Sequence, residues 1–210
     1  FTLTKEELEA IDRVFIVACG TAYHAGLMGK VTIEKHAKIP VEVDIASEFR
    51  YRDPLVTNKS LVISVSQSGE TADTLAVLRE CKRKGAKTLA VTNVVGSTIS
   101  READHVIYTM AGPEIAVAST KAYTTQLIVM YALGLYFGEL RGTLDKNIEE
   151  LIIEGLLEVP EKIEDLLKNE SQIQEVAKTI SSAKDLFFLG RGIDYALALE
   201  GSLKLKEVSY

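Results

Sequence analysis

Short apolar runs that pass through small residues into helical patterns constrain this chain more than any other feature. Residues 13–18, 60–65, 87–92 and 105–110 are each too short for an independent helix and rich enough in Val, Ile and Ala for buried strands. Val41-Glu42-Val43-Asp44-Ile45 alternates and predicts a fifth strand nearer a sheet edge. Between these runs lie segments with helical spacing, such as Ala72, Leu75 and Leu78. Strands separated by helices pair in parallel through right-handed crossovers, so the pattern predicts an α/β protein with a parallel sheet.

A parallel open sheet binds ligands beyond the C-terminal ends of its strands. The loops after Ala18, Val65, Thr92 and Met110 all fall on that edge, which should gather Thr21, Ser66–Thr71, Ser97 and Ser119. The stretch Ser66-Gln67-Ser68-Gly69-Glu70-Thr71 has the densest chemistry, with four polar donor side chains in six residues. A strand turning into a helix aims unpaired N–H groups and the positive end of the helix dipole at one spot, which attracts phosphate. An ordinary N-cap accounts for one of these hydroxyls but not for all. The loop contains no Lys or Arg and no G-x-x-x-x-G-K-[ST] pattern, which predicts a neutral cradle for a small phosphate ester and no P-loop.

Bulk properties narrow the partners. A net charge of −6 over 210 residues opposes a general nucleic-acid surface, and 47% apolar residues suit a globular core. The apolar stretch 127–137 is too short to span a bilayer, and no signal-peptide pattern opens the sequence. Cys19 and Cys81 form no disulfide framework or zinc spacing, and His24, His36 and His105 are scattered. A reducing, cytoplasmic setting follows as the expectation. Cys19 reads as a small packed residue at a strand end.

Thr4-Lys5-Glu6-Glu7 predicts a capped first helix, and Ser119-Thr120-Lys121 predicts the cap of a long helix running to about Leu140. That helix is apolar on several faces, so it should be covered on several sides. Residues 143–182 read as a charged helical connector that Pro160 starts or breaks. Residues 185–189 predict a further buried strand turning at Gly190-Arg191-Gly192 into a last helix. Aligning Gly20 with Gly192 places Tyr23 on Tyr195, the opening of a second copy of the first unit. On the last helix Glu200, Lys204 and Glu207 share one face, which by spacing alone is a surface ion-pair ladder.

Residues 66–75 (Ser-Gln-Ser-Gly-Glu-Thr-Ala-Asp-Thr-Leu) resemble the sugar-isomerase (SIS) domain signature of the glucosamine-6-phosphate synthase family. So do residues 18–21 (Ala-Cys-Gly-Thr), 114–122 (Glu-Ile-Ala-Val-Ala-Ser-Thr-Lys-Ala) and 199–207 (Leu-Glu-Gly-Ser-Leu-Lys-Leu-Lys-Glu). The resemblance implies a three-layer α/β/α sandwich on a five-stranded parallel sheet, flavodoxin-like, followed by the start of a second such domain. The domains would be 1–142, a connector 143–183, and 184–210. It implies substrate contacts from Thr21, Ser66, Gln67, Ser68, Thr71, Val117 and Ser119. It further implies Glu207 as the base moving a proton between C1 and C2 of the sugar, with Lys204 beside it. The family usually places a Ser where Ala22 stands.

The implied substrate is a hexose 6-phosphate, with no metal or organic cofactor. The implied assembly is a homodimer within a parent protein that also carries a glutaminase domain and the rest of the isomerase domain. Phe1 is not that domain's N-terminal Cys nucleophile, and the family's ring-opening His and C-terminal Lys are not in this sequence. Another SIS isomerase, a sugar-phosphate sensor and a nucleotide-binding α/β domain remain open alternatives.

Overall fold

The computed structural model describes residues 3–209. Phe1, Thr2 and Tyr210 lie outside the described residues, and with them the expectation about Phe1. The chain divides into two compact units, residues 1–144 with 189–210 and residues 145–188.

The first unit is built on β1 (Arg13–Ala18), β2 (Val41–Ile45), β3 (Ser60–Ser66), β4 (Lys87–Thr92) and β5 (His105–Tyr108). They form one sheet in the order β2-β1-β3-β4-β5. Every pairing is parallel, with Ile16 beside Ile63 and Ile63 beside Leu89. This is the flavodoxin-like order, in which the chain reverses direction across the sheet between β1 and β3. β3 is central and buried along its whole length, as its continuous apolar run requires.

Strand periodicity sends alternate side chains to opposite faces. Ile16, Leu61, Ile63 and Leu89 meet α1 (Lys5–Glu9), α2 (Thr21–Ala37) and α6 (Lys121–Arg141) through Leu8, Ile33, Met130 and Phe137. Phe15, Val17 and Val62 meet α3 (Ala46–Tyr51) and α4 (Ala72–Arg83) through Phe49, Val77 and Cys81. Ala90 meets Leu75 and Leu78 of α4 and Ile99 of α5 (Thr98–Glu102). The result is the three-layer α/β/α sandwich. Burial pushes the Cys81 thiol up to about 12, which makes it a packed residue and no nucleophile.

The capping box at Thr4 forms as its sequence pattern predicts, Thr4 and Glu7 each accepting the other's backbone N–H. The apolar faces of α6 are largely covered from within the chain. A Cβ at Gly134 would lie 2.9 Å from the Thr32 carbonyl carbon, and one at Gly138 2.9 Å from the His36 carbonyl oxygen. Two glycines thus let α6 lie against the α2 backbone, closer than any side chain would permit.

The cap of α6 departs from expectation. Thr120 makes no side-chain cap, and Ser119 takes a positive φ of 34°. The Glu114 carboxylate caps this helix instead, accepting the N–H groups of Ala122 at 3.0 Å and Thr120 at 3.2 Å. Six residues upstream, it reaches the helix by folding back, an arrangement that local spacing does not encode.

The second unit contains α7 (Lys146–Leu167) and α8 (Glu170–Ile180), and neither helix has a buried residue. Asp145 caps α7 by accepting the N–H groups of Asn147 and Ile148. Pro160 lies inside α7 and neither starts nor breaks it. It is exposed, so water can satisfy the carbonyl that its missing N–H leaves free.

The strand predicted at 185–189 does not form. The segment is irregular and exposed, with Phe187 87% and Leu189 89% accessible. A strand exists only by pairing, and no described strand lies beside this one. The last helix, α9 (Ile193–Val208), does form and packs on α2 within the first unit.

Candidate functional site

At the C-terminal edge of the sheet lies a cleft of about 320 Å³, lined by the ends of β1 and β3, the loop 66–71 and the loop 114–119. Thr21, Ser66, Gln67, Ser68, Thr71, Val117 and Ser119 all line it. Ala22, Cys19, Glu114 and Gln126 line it as well. Cys19 is therefore partly open to the cleft as well as packed against the core.

The loop 66–71 is held by its own hydroxyls. Ser66 Oγ accepts the Gly69 N–H at 3.0 Å and lies 2.9 Å from Thr71 Oγ1. Ser68 Oγ accepts the Glu70 N–H at 3.2 Å. Two backbone donors expected to face a ligand are thus taken by the loop itself. Thr71 occupies the N-cap position of α4 but makes no side-chain cap, so its hydroxyl does not take up the first-turn amides of α4. Those amides and the positive helix end supply the anion-attracting element.

Glu70 does not belong to the first turn of α4. Its Oε1 accepts the Thr98 N–H at 2.7 Å at the start of α5, and this hydrogen bond holds the carboxyl below its ordinary range. Gly69 has φ +67°, and a Cβ there would fall 2.2 Å from Ser97 Oγ. Ser97 accordingly packs beneath the loop and does not line the cleft, contrary to the expected convergence. The glycine serves both the left-handed backbone and the close contact with Ser97.

On the opposite wall, Val117 is fully exposed and contributes no packed core surface. Glu114 is held below the usual carboxylate range, first by its hydrogen bond from Ala122.

The α9 ladder is not a surface feature throughout. Glu200 is 5% exposed and its carboxylate accepts from Thr21 Oγ1 at 3.0 Å. Its other oxygen lies 2.6 Å from His24 Nδ1. Lys204 Nζ donates to the Ala118 carbonyl at 2.6 Å, lies 3.5 Å from Glu200, and pairs with Glu207. Glu207 is partly exposed and stands outside the cleft lining. Lys204 therefore ties α9, and Glu207 with it, to the 116–119 wall of the cleft.

His24 and Glu200 are the residues that sequence reading missed. Their alignment on facing helices has no local signal. The one available hint was the i, i+4 spacing of Glu200 and Lys204, which suggested a solvated pair.

A parallel sheet in the order β2-β1-β3-β4-β5, with a hydroxyl-rich loop at the C-terminal end of its central strand, defines an α/β domain of flavodoxin-like topology with its cleft at the switch point. The SIS domain family profile matches residues 7–136, and the chain belongs to this family. It is 65% identical to the glutamine–fructose-6-phosphate aminotransferase (isomerizing) of Clostridium perfringens, over 100% of this chain and 34% of that protein. The chain thus spans about a third of the length of the curated relatives it matches.

Among solved structures, it matches the C-terminal domain of glucosamine-fructose-6-phosphate aminotransferase from Francisella tularensis with a TM-score of 0.93 and 44% identity. That match covers 98% of this chain and 58% of the other. It also matches a phosphosugar isomerase, assigned as such only provisionally, from Silicibacter pomeroyi with a TM-score of 0.79 and 29% identity, covering 97% and 59%. Among the described residues, no helix is long and apolar enough to cross a membrane.

Proposed function

We propose that the cleft binds a hexose 6-phosphate, with the phosphate on the loop 66–71 and the α4 N-terminus. The observation that carries this reading is the uncapped first turn of α4 beside three hydroxyls at the end of the central strand. Thr21, Gln67, Val117 and Ser119 line the remainder and would contact the sugar.

In this reading the chain is a fragment of the isomerase portion, inactive by itself, of a cytoplasmic enzyme that makes glucosamine 6-phosphate from fructose 6-phosphate and glutamine, the rest of that portion lying elsewhere in the parent protein. Glu207 is its base and Lys204 stabilises the enediol-like charge. Isomerisation needs one carboxylate near both carbons; the Lys204 bond to Ala118, beside the lining residues Val117 and Ser119, supports this reading, while Glu207 itself stands outside the cleft lining. The parent protein would carry a glutaminase domain and act as a homodimer.

The domain reading is residues 1–142, a connector 143–183, and 184–210 as the start of a second copy. Gly20 (φ 55°, ψ −131°) and Gly192 (φ 63°, ψ −124°) support it, because each stands in the same unusual conformation directly before a helix.

Calorimetric titration of the chain with fructose 6-phosphate tests the reading. Each charge-assisted hydrogen bond should contribute about 1.5–3 kcal/mol, so Ser68→Ala and Thr71→Ala should each weaken binding. Unchanged affinity in both variants places the phosphate elsewhere. Preferential binding of a nucleotide over fructose 6-phosphate rejects the substrate class.

A further inference from the structure

Gln126 stands on α6 with its side chain enclosed at the cleft. The residue is 2% exposed and lines the cavity, yet its side-chain oxygen is buried without any hydrogen-bond partner. Several other polar groups of the lining are engaged. Ser66 is held by Gly69 and Thr71, Thr21 by Glu200, and Glu114 by the amides of residues 120 and 122. A buried carbonyl left unpaired costs free energy comparable to a lost hydrogen bond, and such groups in folded proteins have an identifiable reason. Leu or Met would fill the same volume without that cost.

The donors around the cleft are unevenly placed. The loop 66–71 and the α4 N-terminus offer N–H and O–H groups, which suit phosphate oxygens. Thr21 gives its proton to Glu200, so toward the cleft its oxygen retains lone pairs. Gln126, a lining residue whose side-chain oxygen is unpaired, has acceptor capacity left as well. The dianion of a phosphate monoester has no proton to donate to such groups, whereas a sugar hydroxyl does.

We infer that Gln126 is a substrate-recognition residue whose side-chain carbonyl accepts a hydrogen bond from a hydroxyl of the bound sugar. It thereby separates hexose phosphates from ligands that offer phosphate alone. This rests on the hexose 6-phosphate reading of the cleft and adds the residue that reads the sugar rather than the phosphate.

The test titrates the wild-type chain, Gln126→Leu and Gln126→Met with fructose 6-phosphate and with inorganic phosphate, and records the thermal melting of each. The expected result is a fall of about 5- to 30-fold in fructose 6-phosphate affinity in both variants, from loss of one hydrogen bond. Inorganic phosphate affinity should be unchanged, and melting unchanged or raised. Wild-type affinity for fructose 6-phosphate in the variants overturns the inference. An equal proportional loss for both ligands also overturns it, because that result reports a damaged cleft. If the Leu variant does not fold, the longer and more flexible Met side chain carries the comparison. A wild-type chain that binds no fructose 6-phosphate rejects the underlying reading itself, an outcome distinct from binding that Gln126 does not affect.

Discussion

His24 and Glu200 are 176 residues apart in sequence, and their side chains meet at 2.6 Å between Nδ1 and Oε2. The contact is enclosed, with the two side chains 12% and 6% exposed. It joins the first turn of α2 to the middle of α9 beside the cleft. Through Thr21 it also fixes the orientation of a hydroxyl in the cleft lining.

Removing that carboxylate strands two partly buried groups, Thr21 Oγ1 and His24 Nδ1. Glu200→Ala should destabilise the chain by about 2–4 kcal/mol, since each orphaned partner costs about 1–3 kcal/mol. Urea unfolding measures this. The more exposed Glu207→Ala should cost under about 1 kcal/mol in the same experiment. Equal losses in the two variants would refute the difference in burial between them.

The glycine of the phosphate loop admits no side chain. Gly69→Ala combines a φ of +67° with a Cβ 2.2 Å from Ser97 Oγ and 2.8 Å from Thr92 Oγ1. It should cost more than about 2 kcal/mol and reduce sugar-phosphate binding. Gly96→Ala, at φ +74° with no atom within 4 Å, carries only the backbone penalty and should cost about 1 kcal/mol. A melting comparison of the pair separates steric overlap from dihedral strain.

Packing between α2 and α6 depends on the same principle. Gly134→Leu would drive a side chain into the Thr32 backbone, whose carbonyl oxygen lies 3.0 Å from the first added carbon. The helix must move away, and a loss of more than about 3 kcal/mol or failure to fold is expected. Near-native unfolding midpoints in denaturant would show that the helices can separate at little cost.

Asp104 gives a pH dependence with a definite sign. Partial burial pushes its carboxyl up, but hydrogen bonds from Lys82 and Thr88 outweigh this and hold it below the ordinary value. It accepts the Thr88 N–H at 3.0 Å and the Thr88 hydroxyl at 2.8 Å, and Lys82 lies 2.8 Å away. A depressed folded pKa contributes stability above the unfolded value of about 3.9, and that stability is lost as pH falls through the folded value. Asp104→Asn should therefore be less stable than wild type at neutral pH, with the gap narrowing below about pH 4. A gap independent of pH would show that the charge is not what matters.

The five strands of the sheet were legible in the sequence. A run such as Leu-Val-Ile-Ser-Val, flanked by helical spacing, has no other place to go than the centre of a parallel sheet. The loop 66–71 was legible for the same reason, because strand, turn and helix are contiguous and the hydroxyls are local. Capping was legible at Thr4, where donor and acceptor are three residues apart, and not at α6, where Glu114 folds back to replace Ser119. The strand predicted at 185–189 shows the opposite limit, since a short apolar run suits a strand but pairing is what makes one. Only tertiary structure placed Ser97 under Gly69, closed His24 on Glu200 and left Gln126 unpaired at the cleft. Each depends on where separate helices come to rest against the sheet. Local hydrogen bonds and side-chain periodicity act over a few residues, whereas that placement is set by the summed packing of the whole core.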